Sequence, residues 1–113
     1  MNNLKLGCDT KKVIIVGTEQ REVRDGSQKI YLKVKANDGA AYTVNEVWID
    51  THNQKRTTQG LWIDLDLNGN VRPSSILGKF LSYLGVTSVP ELINKEIELE
   101  PKSNGFMAIS LPS

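Results

Sequence analysis

Lys29, Tyr31, Lys33 and Lys35 recur at a spacing of two. A strand turns successive side chains to opposite faces, so these four share one face while Ile30, Leu32 and Val34 share the other. Ammonium groups interleaved with an aromatic ring suit a nucleic-acid single strand, because the cations track the phosphates and the ring offers a stacking surface. Lys11, Lys12, Lys55 and Arg56 extend that basic character along the chain. Trp62 points outward if Leu61 and Ile63 point inward, and Trp48 does so if Val47 and Ile49 point inward. The same residues also fit a plain solvated strand face, whose lysines discourage edge pairing. An outward Trp fits an oligomer contact as well, since aromatics are enriched in interface cores.

Other constellations are weaker. Asp64-Leu65-Asp66-Leu67-Asn68-Gly69 matches the first half of a calcium loop, but the twelfth position is Ser75 rather than a bidentate Glu. Alternating leucines and aspartates ending in an Asn-Gly turn explain the same residues, so no metal is expected. Glu96, Glu98 and Glu100 share a strand face with no pocket implied, and a solvated acidic face is the expectation. The lone His52 sits in a polar stretch with nothing to nominate a triad, and the lone Cys8 lacks the partners of a zinc site. No catalytic residue and no cofactor are expected.

The chain has 113 residues and a net charge of +1. That length fits one domain with a real core, with residues 1–10 as a flexible arm. Residues 1–60 hold ten Lys and Arg against seven Asp and Glu, and residues 61–113 hold four against six. Such a balance argues against tight, purely charge-driven nucleic-acid binding, which usually goes with a strongly basic domain. No run approaches the roughly 18 apolar residues of a membrane span, and the first residues lack the apolar core of a secretory signal. The expectation is a cytoplasmic protein without membrane contact.

The elements that must position these residues are mostly strands. Residues 11–16 form a β-rich run before Gly17, and Asp25-Gly26 signals a hairpin turn. Residues 29–35 alternate cleanly, Asn37-Asp38-Gly39 turns the chain, and residues 41–50 make a third strand. Residues 51–59 read as a polar loop. Residues 60–67 alternate again, with Leu61, Ile63, Leu65 and Leu67 inward. Ile76, Leu77, Phe80, Leu81 and Leu84 give the one clear helical period, with Ser74 as N-cap and Gly85 just past its end. Ser88 and Glu91 form a capping box for a short helical turn over residues 90–93. Residues 95–100 and 105–111 make a closing hairpin.

This order resembles the OB-fold, a small five-stranded Greek-key barrel with a helix between its third and fourth strands. The resemblance spans residues 11–111 and rests on element order, the bent first strand at Gly17 and the helix. Residues 60–67 are one strand more than the pattern needs, which leaves another small barrel or an open α+β sheet in play. The resemblance implies a mainly β protein: a five- or six-stranded antiparallel barrel with one helix. It further implies a non-catalytic module that binds single-stranded DNA or RNA through Lys29, Tyr31, Lys33, Lys35, Trp48, Lys55, Arg56 and Trp62. The competing expectation is a protein-interaction or self-assembly module, in its simplest version a homodimer through a strand edge or the Trp surface.

Overall fold

The computed structural model describes residues 10–50 and 56–111. Cys8, His52, Lys55 and all of the expected arm but Thr10 lie outside the described residues. Seven strands, one α-helix and one 3-10 turn follow in order: β1 (Lys11–Arg24), β2 (Ser27–Ala36), β3 (Ala41–Val44), β4 (Glu46–Asp50), β5 (Arg56–Gly60), α1 (Ile76–Tyr83), the 3-10 turn Val89–Leu92, β6 (Glu96–Pro101) and β7 (Met107–Ser110). The mainly β class with a single helix is as expected.

The ladder differs from the expected antiparallel barrel. It is a seven-stranded mixed sheet in the order β3-β2-β1-β6-β7-β4-β5, not closed into a barrel. The β4–β7 pairing is parallel, through Val47 and Ile109, and every other pairing is antiparallel. Residues 41–50 split at Asn45 into β3, which pairs with β2, and β4, which pairs with β5 and β7.

The β1–β2 hairpin closes through Asp25 (φ 55°) and Gly26 (φ 76°), the two left-handed residues that a tight hairpin turn requires. Between Ile15 and Gly17 the register slips by one residue, so Val16 bulges out and is 53% exposed. The bulge switches the facing of β1. Val13 and Ile15 are buried before it, while Gly17, Glu19 and Arg21 after it stand opposite Lys33, Tyr31 and Lys29 on the outer face. This resolves the run of four apolar residues at 13–16, which two-fold alternation cannot explain.

Val34, Leu32 and Ile30 of β2, with Leu99, Ile97, Ile109 and Val44, form the buried side of the sheet. Leu77, Phe80 and Leu81 bring α1 onto that core. Ser75, not Ser74, caps the helix, its Oγ accepting from the Gly78 N–H at 3.0 Å. Ser74 is held in the preceding turn, where the Ser75 N–H donates to the Arg72 carbonyl. Gly78 packs so tightly under that turn that a Cβ would lie 2.1 Å from the Arg72 oxygen. At the other end Gly85 (φ 74°) follows the C-cap Leu84, and the Val86 N–H returns to Leu81.

Two further expectations need correction. Residues 56–59, expected in the polar loop, form a strand with Gly60, paired residue for residue with β4. The strand expected over 60–67 does not continue past Gly60: beyond it only single bridges form, Lys29 with Trp62 and Leu65 with Val71. Leu65 and Leu67 are exposed, because the Asp66 carboxylate gathers the Asn68 and Asn70 N–H groups into a tight turn that lifts Leu67 off the protein. The 3-10 turn forms as the capping box predicts, with the Glu91 carboxylate accepting from the Ser88 N–H.

Candidate nucleic-acid interface

The outer face of β2 carries Lys29, Tyr31, Lys33 and Lys35 as the alternation requires, with Ile30, Leu32 and Val34 buried behind them. Register fixes their neighbours. Arg21 stands opposite Lys29, Glu19 opposite Tyr31, and Gly17 and Thr43 on either side of Lys33. The Arg21 guanidinium lies 4.3 Å from the Tyr31 ring centre. Arg21 also donates to Glu19, which holds that carboxyl below its ordinary value, and Lys33 lies 3.8 Å from the same group. Lys33 and Lys35 are exposed.

Trp62 reaches this face by backbone pairing. Leu61 accepts from the Ile30 N–H at 2.9 Å and the Ile63 N–H donates to Gln28 at 2.8 Å, which lays residues 61–63 along the end of β2 and sets Trp62 against Lys29. The Lys29 ammonium sits 4.7 Å from the indole centre, and Trp62 is 41% exposed. Gly60 leaves the space for this stack: a Cβ there would fall 2.3 Å from Lys29 Cε.

Glu46, Trp48, Thr58, Gly60 and Arg56 share one face of the β4–β5 hairpin by register. Arg56 lies 4.5 Å from the centre of the Trp48 ring and pairs with Glu100, whose backbone carbonyl accepts from Trp48 Nε1 at 3.1 Å. Val47 is buried on the opposite side and Trp48 is half-buried. Lys102 pairs with Glu46, and this contact, ahead of the Thr58 hydroxyl, holds the Glu46 carboxyl below its ordinary value. The β6–β7 tip is thereby tied to β4.

Of the eight expected residues, Lys29, Tyr31 and Trp62 come together with Lys33 close by. Trp48 and Arg56 form a second cluster on the hairpin, Lys35 lies farther along β2, and Lys55 lies outside the described residues. Lys11 and Lys12 do not extend the row. Lys11 turns to Tyr42 and Asp38, and Lys12 pairs across to Glu98. The uniform acidic face expected at 96, 98 and 100 is also corrected, because Glu100 is buried beneath Arg56.

Sequence reasoning missed Arg21 and Phe106. Arg21 follows the bulge, so its facing cannot be counted from residue 13. Phe106 is 71% exposed at the β6–β7 tip, beyond the last paired residues Pro101 and Met107. An apolar ring next to Gly105 in a turn was the signal that could have found it. No protein-family model, curated protein or solved structure matches this chain.

Proposed function

We propose that this chain is a non-catalytic module binding single-stranded nucleic acid on the outer face of β2 and the β4–β5 hairpin. The observation that carries the reading is the exposed Trp62–Lys29 stack beside Tyr31–Arg21, with Lys33 and Lys35 continuing along the same strand. Bases stack on the rings and the lysine ammonium groups meet phosphates, giving affinity that falls with salt and depends little on sequence.

The pairings also support an OB-like reading of the fold. Taken as one strand broken at Asn45, β3 and β4 join β2 at one end and β7, in parallel, at the other, which links the two limbs of the sheet. In such proteins the face of strands 2 and 3 carries the ligand.

The two tryptophans of the chain both belong to this surface, so intrinsic fluorescence reads it directly. Titration with an unlabelled single-stranded oligonucleotide should quench and shift the emission. A Trp62→Phe variant should lose most of the change, since Trp62 is the more open of the two rings. Emission that stays constant through saturating oligonucleotide would remove this reading.

Leu67, fully exposed on its turn, and Phe106 favour a second reading, docking to another protein. Neither lies on the Lys29–Trp62 stack, so the two readings are separable by substitution.

A further inference from the structure

We infer that the cleft between the end of β5 and the start of α1 seats the nucleotide next to the one stacked on Trp62, with Lys79 meeting its phosphate. The inference rests on the nucleic-acid reading and says where the single strand goes once it leaves β2.

The cleft has a volume of about 450 Å³, within the range of small-ligand sites. β4 and β5 supply one wall. Val47 is buried and pairs with Gln59, so Ile49 and Gln59 lie on the side of the hairpin opposite Trp48, where they border the cleft. α1 supplies the other wall. Ile76 and Lys79 stand three residues apart on one helix face, while Leu77 and Phe80 beside them are fully buried. Trp62 borders the cleft and Lys29 does not, so the cleft meets the indole away from the lysine stack. One ring therefore belongs to both surfaces. A strand with a base on Trp62 has its neighbouring nucleotide at the cleft.

The chemistry of the walls matches such an occupant. Ile49 and Ile76 are half-buried and offer apolar surface to a base or sugar. Lys79 is exposed, and among the described residues no carboxylate pairs with it, whereas Lys11, Lys33 and Lys102 each have one. The acid of the cleft, Asp64, pairs with Arg72 at 3.1 Å, so its charge is already met. An apolar slot with an uncompensated cation suits an anion that carries a flat ring, which is what a nucleotide is.

Fluorescence anisotropy on the full chain is the test, with a labelled oligothymidylate of about 12 nucleotides, inside the usual span of such modules, at about 50 and 200 mM salt. Lys79→Gln should weaken binding at the lower salt at least about threefold and reduce the logarithmic salt slope by about 0.7, the share of one phosphate. Its circular dichroism melt should match the wild type, because Lys79 is exposed and Gln is a good helix former. Lys95→Gln removes the same charge outside the cleft and should change neither affinity nor slope. Gln59→Lys should tighten binding and Gln59→Glu should weaken it, a reversal that loss of folding cannot produce. If Lys79→Gln binds as Lys95→Gln does while Lys35→Gln binds more weakly, the cleft is overturned and the β2 reading stands. Gln59→Lys and Gln59→Glu that shift the affinity in the same direction also overturn the cleft. A wild type that does not bind the oligonucleotide overturns both.

Discussion

Trp62 and Arg56 both belong to the candidate surface, yet their substitution should read differently. Arg56 lies over Trp48 and pairs with the buried Glu100, so Arg56→Ala would leave a carboxylate without that partner and unsettle the fold as well as the surface. Trp62 is 41% exposed and has no buried charge beneath it, so Trp62→Ala should lower the thermal midpoint less than Arg56→Ala does. Structural sensitivity belongs instead to residues such as Phe80 and Gly78. Phe80 is fully buried, and Phe80→Ala should cost about 3–5 kcal/mol in a denaturant titration. Gly78→Ala drives a methyl into the Arg72 carbonyl and should cost about 1–3 kcal/mol by the same measurement. The alternation at 29–35 made the lysine row legible from residue types alone. The glycine at 60 was not legible as a site residue, because its role is the space it leaves for Lys29.

The elements that follow a simple period were readable, and those shaped by pairing were not. β2, α1 with its Gly85 stop, and the Ser88–Glu91 turn each announce themselves by spacing or cap chemistry. The extent of β1 was hidden because Thr18 to Arg24 is polar and the bulge at Val16 reverses its facing. β5 was hidden because Thr57, Thr58 and Gln59 gain their strand from β4 rather than from an apolar face of their own. The tie between the β6–β7 tip and β4 makes a prediction at this scale. The Glu46 carboxyl is held below its ordinary value of 4.5 by Lys102, so its contribution to stability is present above that value and is lost as the pH falls through the lower folded one. Between about pH 5 and pH 3 the thermal midpoint of the wild type should therefore fall more than that of Glu46→Gln, which has no proton to take up there. Equal falls would show that the Lys102–Glu46 contact does not hold the tip.

At the scale of the whole molecule, the mainly β class with one helix was visible in the order of elements. The sheet's connectivity was not, because the parallel β4–β7 pairing and the split at Asn45 are long-range contacts that no local period encodes. No helix among the described residues is long and apolar enough to cross a membrane. The near-zero net charge fits a surface that uses a few local cations and open rings rather than a global positive field. Fluorescence anisotropy of a labelled single-stranded oligonucleotide across a salt series tests this most directly. Affinity at low salt should be on the order of 1–100 µM. If Lys29, Lys33 and Lys35 each neutralise a phosphate, binding should weaken about 20-fold from roughly 50 to 200 mM salt, since each contact adds about −0.7 to the logarithmic slope. Trp62→Ala should weaken it at least about fivefold, in line with a stacking contribution of about 1–3 kcal/mol per base, while Glu98→Ala on the far strand should not weaken it. An anisotropy that stays flat to about 100 µM protein at low salt, or Trp62→Ala and Glu98→Ala that bind alike, would contradict the account.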